Sequence, residues 1–480
     1  MPIKPSAKRD GFPKLFNHHM GKQQKSIAII GAGVTGLAAA HRLRSLGHQA
    51  TVFESSNRIG GVIETVRKDG YLAECGPNTL LETSPKIGEL IRDLGIEDRK
   101  RYANPEMKNR YIVKGAKPVA MPLSPGQFLT TKLFSLGTKL GLLKEPFIPR
   151  CPADKEECLA EFVVRRLGRE FLDYAINPFV AGVYAGDPER LSVQQAFPKL
   201  YALEQKYGSM IKGQILGARE RKKRGTVSKD KAKMVSFDHG LQVLIDGLGQ
   251  SVESSLCLST SVHGVERSGD QQWKVMGPDG SKSFDAVLPA LPTHKMTELS
   301  FRDSAPIDLS QLREIIYPPV ASIVMGFKRD QIAHPLDGFG MLVPEVEKRN
   351  ALGTIFTSSL FEGRAPEGHV TLTSYIGGMR APKNALLPEE EIDRLVLEDL
   401  NVLLGLKGKP TFINRRIYRH AIPQYVVGYG KHKDLFDRLE KNHNGLFFAG
   451  HYRNGISLSD SLVAGLDVAE RMDQFFKKHE

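Results

Sequence analysis

Cysteine is scarce, with four in 480 residues. Cys75, Cys151, Cys158 and Cys257 show no C-x-x-C spacing. That excludes a disulfide framework and a cysteine-bound zinc, leaves core or loop thiols, and makes a reducing compartment the default expectation. No run of about 18 uncharged apolar residues occurs, so a transmembrane helix is not expected. Residues 1–24 lack the apolar stretch of a secretory signal and read as a basic leader, flexible or organelle-targeting. No Ser-His-Asp set, no H-E-x-x-H and no paired acids with an evident partner stand out. Neither a metal nor hydrolytic machinery is expected, and no catalytic residue is assigned. Acid is also in deficit: 54 acidic residues against 67 basic give a formal charge of +13.

That excess of base points to nucleic acid, an anionic membrane or an anionic substrate. Its densest cluster, Arg219 to Lys233, reads as an exposed loop without interleaved aromatics or a nucleic-acid module, so the expectation turns away from nucleic acid. With 41% hydrophobic and 25% charged residues the chain is ordinary globular material. Its length asks for two or three domains rather than one core.

What the sequence does hold is a glycine turn, "SIAIIGAGVTGLAAAHRL", residues 26–43. Ile27 to Ile30 is a short apolar run, fit for a strand buried on both faces. Gly31, Gly33 and Gly36 follow in G-x-G-x-x-G spacing around Ala32, Val34 and Thr35, and an alanine-rich helix opens at once. Gly31 allows the tight turn, Gly33 leaves no side chain where a pyrophosphate would approach, and Gly36 lets helix and strand pack closely. The helix start offers unpaired N–H groups and partial positive charge to phosphates. About twenty residues on, a second strand ends in Glu54, followed by Ser55; a carboxylate there accepts from ribose hydroxyls and repels a 2′-phosphate, favouring an NAD or FAD nucleotide over NADP. "SSNRIGG" adds Arg58, Gly60 and Gly61 directly after the acid, which an extended FAD uses and a nicotinamide enzyme has no evident need for. Turn, acid and R-x-G-G together resemble the amine-oxidase-like flavoprotein superfamily, and the resemblance implies FAD.

Farther along, "GYLAECGPNTLLETSP" reads as a strand, a turn holding Gly76, Pro77, Asn78 and Thr79, and a helix start. A hairpin follows with its turn at Lys114 to Lys117. Residues 126–150 carry leucines and phenylalanines at helical spacing among Lys132, Lys139 and Lys144. They read as a helix pair in a membrane interface, or else as an ordinary buried helix. Helical periodicity continues to about residue 225, then a strand, a helix and a meander of short strands containing Val262. Tyr317 to about Arg416 reads as strands alternating with loops. The chain closes with a strand, a glycine turn at Gly450 and His451, and a helix starting at Ile456, Ser457 and Leu458, aimed at the flavin. The superfamily places Val262 against the adenine, and the residues of these turns complete the implied cofactor set.

"NPFVAGVYAGDPERLSVQQAFPKLYALEQKYGSMIKG", "YPPVASIVMGFKRD" and "HAIPQYVVGYGKH" resemble the protoporphyrinogen oxidase family in order and spacing, from about Lys25 to Asp473. The resemblance implies an α/β (α+β mixed) fold: a Rossmann-like FAD-binding domain (25–95, 226–295, 426–480), a substrate-binding sheet domain (96–120, 296–425) and a helical membrane-binding domain (121–225). It implies oxygen-dependent, six-electron oxidation of protoporphyrinogen IX, with protoporphyrinogen IX and dioxygen as partners and a peripheral membrane surface. That surface would be the cytoplasmic face in a bacterium, or a mitochondrion or plastid in a eukaryote; a homodimer is left open. For substrate positioning it implies Arg110 on a propionate, Phe356 on a pyrrole ring, Gly338 in the pocket lining and Gly182 close to the macrocycle. A surface arginine and a core phenylalanine remain the alternatives. Coproporphyrinogen III oxidation, an amine oxidase or desaturase, and a carrier without turnover are the competing functions.

Overall fold

A computed structural model describes residues 24–152, 154–224, 232–267 and 272–479. Residues 1–23 of the expected leader and 225–231 of the basic cluster lie outside the described residues.

The apolar run at the start forms a strand, Ser26–Ile30, in a parallel four-stranded sheet. Its neighbours are Gln49–Phe53 and Ala286–Pro289, and Leu256–Cys257 pairs with Gln49–Phe53. Ile27 and Ile29 face one core cluster, with Leu37 and Leu43 of the following helix; Ala28 and Ile30 face another, with Trp273 and Phe284. Alternation along a strand covered on both faces produces this division. The segment after Gly445 extends the sheet, with the Val287 N–H donating to the Gly445 carbonyl and the Phe447 N–H to the Val287 carbonyl, at 2.8 and 3.0 Å.

Two helices lie together over one face, Val34–Ser45 and the closing helix Leu458–Lys478. A Cβ on Gly465 would come within 2.4 Å of the Thr35 carbonyl oxygen, so the helices touch backbone to backbone. The other face carries a mixed five-stranded sheet, in which Trp273 is fully buried.

A second large sheet runs in the order Phe412–Tyr418, Val320–Lys328, His369–Gly377, Ala351–Ile355, Gly338–Leu342, Asn109–Lys114, Lys117–Ala120. The predicted hairpin supplies its edge. The strands-and-loops reading of Tyr317 to Arg416 missed a 16-residue helix, Glu389–Leu404, that covers one face. Three acids in its first turn and Ile392, Val396, Leu400 and Leu403 on its buried side explain it. The other face meets the helix Asn177–Tyr184.

Residues 126–150 do form a pair of helices, short ones of six residues, Pro125–Thr130 and Leu136–Gly141, followed by a 3-10 turn, Leu142–Phe147. The alternative of an ordinary buried helix is corrected: Leu133 and Phe134 are buried, but Leu129, Leu136, Leu140, Leu143 and Phe147 are 56–84% exposed. A second expectation is corrected as well. Arg219–Arg224, expected as loop, continue the helix Met210–Arg224. No helix among the described residues is long and apolar enough to cross a membrane.

Candidate functional site

The parallel sheet ends in four turns side by side: Glu54 after the second strand, Gly31 after the first, Leu291 after Ala286–Pro289, and Gly450 after the last extended segment. Ligands of open parallel sheets bind outside these carboxyl ends. Each glycine of the first turn has a separate reason. Gly31 sits at φ 105°, and a Cβ on it would meet the Ala290 carbonyl at 2.9 Å. One on Gly36 would lie 2.1 Å from the Gly31 carbonyl oxygen, the close strand–helix approach the spacing predicted. Around Gly33 nothing lies within 4 Å of an added Cβ, and Gly61, facing it, would reach only the Gly33 Cα at 3.4 Å. That bare space lies at the N-terminus of Val34–Ser45, where Ala32, Val34 and Thr35 complete the turn.

Glu54 accepts from the Ala32 N–H and the Ser56 N–H, each at 2.9 Å, which holds its carboxylate at the edge of this space. Ser55 is exposed beside it. The Arg58 guanidinium donates to the Gly61 carbonyl at 2.5 Å and to the Ile59 and Ile63 carbonyls at 3.3 Å. It therefore shapes the loop instead of pointing into the open space. Gly60 packs under Ile245, whose Cγ2 would lie 2.8 Å from an added Cβ. Val262 is nearly buried close to the acid, since the Thr260 N–H donates to the Glu54 carbonyl at 2.8 Å.

Gly76 approaches the Val62 carbonyl, which a Cβ would meet at 2.4 Å, and begins the turn through Pro77, Asn78 and Thr79. The Asn78 amide donates to the Tyr375 hydroxyl, while its Oδ1 is buried without a partner. At the closing turn Ser457 caps the long helix by accepting from the Asp460 N–H at 3.1 Å, with Ile456 and Leu458 on either side. Gly450 stands at φ 148°, and the Nε2 of His451 is buried and unpartnered. Tyr425, which the sequence reading did not single out, fastens this turn by donating to the His451 carbonyl and accepting from the Gly455 N–H.

These features fit FAD: a bare gap at a helix start, a carboxylate at its rim, two helix N-termini brought together, and polar atoms on Asn78 and His451 lacking partners. Glu54, Gly33 and Gly61, with the starts of the two helices, are the groups able to hold it.

The residues expected to position the substrate lie on or against the large sheet. Arg110 is exposed, makes no ion pair among the described residues and lies over the Phe339 ring at 5.9 Å. Gly338 and Gly340 pair with Asn109 and Arg110 across a bulge, and a Cβ on Gly338 would meet the Asn109 carbonyl at 2.4 Å. Gly182 packs onto the same sheet, where a Cβ would lie 2.3 Å from Leu342 Cδ2. Helix–sheet contact thus by itself favours a small residue here, since any side chain would have to displace Leu342. Leu342 pairs with Ile112, two residues along the strand from Arg110, so Arg110 and the Gly182 helix share one face. Phe356 does not join them. It is fully buried against Tyr111 and His334, in the core under Glu389–Leu404. Tyr111 points opposite to Arg110, so in this structure Phe356 packs the far side of the sheet.

With the geometry in place, comparison with known proteins is direct. The family profile "Flavin containing amine oxidoreductase" matches residues 34–473. Protoporphyrinogen oxidase 2, chloroplastic/mitochondrial, of Arabidopsis thaliana is 34% identical over 93% of this chain and 93% of its own. Coproporphyrinogen III oxidase of Bacillus subtilis (strain 168) is 28% identical over 93% and 97%. A crystal structure from Exiguobacterium sp. 255-15, provisionally named protoporphyrinogen oxidase, superposes with a TM-score of 0.79 at 23% identity, covering 95% of this chain and 100% of that one. The fold, the glycine turn and the match along nearly the whole chain agree: it belongs to the flavin containing amine oxidoreductase family and is an FAD oxidoreductase.

Proposed function

We propose that this chain oxidises protoporphyrinogen IX to protoporphyrin IX in porphyrin biosynthesis, in three two-electron steps, with dioxygen as final oxidant and hydrogen peroxide as by-product. The observation that carries the reading is 34% identity to a plant protoporphyrinogen oxidase over 93% of both chains. FAD, when bound, supplies the two-electron acceptor. Gly33 and Gly61 would leave room for its pyrophosphate, Glu54 would accept from the ribose hydroxyls, and the Ser457–Leu458 helix start would support the ring. Arg110 offers an unpaired guanidinium to a propionate, for which its fork is suited. The substrate's pyrrole nitrogens activate the carbon that loses hydrogen, so the protein's work is positioning and exclusion of water.

The same reading includes a membrane surface. Leu129, Leu136, Leu140, Leu143 and Phe147 stand exposed beside Lys132, Lys139 and Lys144. Phe128 and Phe134 from this segment pack against Phe171 and lead inward to Leu342 under Gly182. An apolar tetrapyrrole could follow that route without crossing water, and the lysines favour anionic lipid. A bilayer in a plastid, a mitochondrion or a bacterial cytoplasmic face satisfies it equally.

Purified protein supplied with protoporphyrinogen under air is expected to develop porphyrin fluorescence and one peroxide per two electrons; flavin without either product overturns the proposal. Coproporphyrinogen III, assayed alongside, tests the reading favoured by the Bacillus relative. Four carboxylates would need more cations than Arg110, so slower turnover is expected.

A further inference from the structure

Three imidazoles and one phenol line up beside the closing turn. His420 is exposed and stacks on His294, centroids 4.5 Å apart. The Tyr317 ring touches both His294, at 5.1 Å, and His451, at 5.8 Å. Its hydroxyl is tied to Thr293, through the backbone N–H at 3.3 Å and the side chain at 3.1 Å. His294 follows the strand Ala286–Pro289, whose end abuts Gly31, and His451 follows Gly450 on the next segment. Adjacent strands are about 4.8 Å apart, so both imidazoles sit along the sheet edge past the glycine turn, away from Glu54. An extended nucleotide held at Glu54 and Gly33 carries its redox ring in that direction.

Nδ1 of His294 and Nε2 of His451 are buried and have no hydrogen-bond partner among the described residues. Leaving two such atoms unpaired is costly. Among the described residues no carboxylate forms an ion pair with either ring. His294 feels His420 and Lys295, with Glu298 pulling the other way, and His451 has Tyr317 and Tyr452 against its ring. Burial, then the neighbouring imidazole, pushes both down to about 4. The pair is therefore neutral at ordinary pH, with two buried ring nitrogens able to accept a proton.

We propose that His294 and His451 form a proton reservoir: between them they take up one proton from solvent when the cofactor gains two electrons, and return it when dioxygen removes them. The balance closes in each cycle. The substrate loses one C–H hydrogen with its electron pair to the cofactor and one N–H proton to solvent. The pair binds one proton from solvent; dioxygen then takes the electron pair, the transferred hydrogen and a proton to become hydrogen peroxide. A cationic imidazole beside the new negative charge favours the reduced state, and the vacant nitrogens gain a bonded form. This inference rests on the FAD reading and on the closing turn facing the ring.

The test is a dye-equilibrated redox titration of the flavoprotein from about pH 5 to pH 7, read from the flavin spectrum without substrate. Two protons per electron pair, one on the flavin and one on the imidazoles, make the reduced-to-oxidised ratio at fixed potential rise 100-fold for each unit fall in pH. The double variant His294→Gln, His451→Gln is expected to show tenfold. His294→Gln alone, a milder change at a half-exposed site, guards against loss of folding and should also fall below 100-fold. A tenfold slope in the unaltered protein, or an unchanged slope in the variants, overturns the reservoir alone. Protein that binds no flavin overturns the cofactor reading and this inference together.

Discussion

The Thr35 hydroxyl donates to the Ser461 carbonyl at 3.0 Å, joining residues 426 positions apart. The bond locks the first turn of the glycine-turn helix against the first turn of the closing helix. Two N-terminal ends, each carrying partial positive charge, are thereby fixed at one place.

The glycines of that turn separate cofactor binding from folding. Gly33→Ala meets no atom within 4 Å and should leave the thermal midpoint of the flavin-free protein nearly unchanged, while flavin content drops sharply. Gly36→Ala drives a methyl to 2.1 Å from the Gly31 carbonyl and should lower both. Calorimetry and flavin absorbance on the same samples decide it. Full flavin content in Gly33→Ala would move the pyrophosphate elsewhere.

Arg110 and Phe356 should behave in opposite ways. Arg110→Ala removes an exposed side chain, so stability should hold while KM for protoporphyrinogen rises about 10- to 100-fold, the loss of a charge-assisted contact of about 1.5–3 kcal/mol. Phe356→Ala opens a hole in a fully buried cluster. It should cost about 3–5 kcal/mol of folding stability. Phe356→Ala that loses substrate affinity at undiminished stability would place its ring in the pocket after all.

One carboxylate ties the start of the helix Leu136–Gly141 to the body of the protein. Glu170 accepts from the Ser135 N–H at 2.8 Å, the Thr138 hydroxyl at 2.6 Å and Lys114 at 3.0 Å. Burial pulls its pKa upward, but the Thr138, Ser135 and Lys114 contacts outweigh it and push it to about 2. A depressed carboxylate stabilises the fold fully above its unfolded value, near 4.5, and loses that contribution as pH falls toward 2. Proteolysis between residues 131 and 142 should accelerate across this window, and Glu170→Gln should show the same susceptibility at pH 7. Cleavage indifferent to pH would mean that other contacts hold the segment.

Membrane binding should follow the apolar tips. Replacing Leu136, Leu140, Leu143 and Phe147 by Ser leaves the core untouched, because all four are exposed. Sedimentation with anionic vesicles should fall at least tenfold, and high salt should weaken what remains. Undiminished sedimentation would assign the contact to another surface.

The buried pair of Glu74 and Arg364 should prove necessary for assembly. It joins the strand Tyr71–Glu74 to Ser236 and Leu241, with Arg364 donating to the Ser236 hydroxyl at 2.6 Å. Arg364→Met strands the acid in the interior and should destabilise by about 3–5 kcal/mol, measured by denaturant unfolding. The double variant with Glu74→Gln should recover part of the loss.

The sequence by itself determined the first turn, its acid and the helices at both ends, because those features are local: glycines at fixed spacing, an apolar run, an acid at a strand end. It also showed the hairpin at Lys114 to Lys117, where a turn lies between two short strands. The helix Glu389–Leu404 was legible in its acids and apolar spacing but lay hidden among strands. Tertiary structure alone decided which distant segments share a wall. Arg110 and Phe356 fall on opposite faces because pairing register, set by strands far apart in the chain, fixes which side each residue takes. Gly182 owes its place to Leu342, and His294 and His451 meet across Tyr317, only because strand order brings their ends together. Contacts between residues so far apart depend on chain topology, and local pattern carries no record of it.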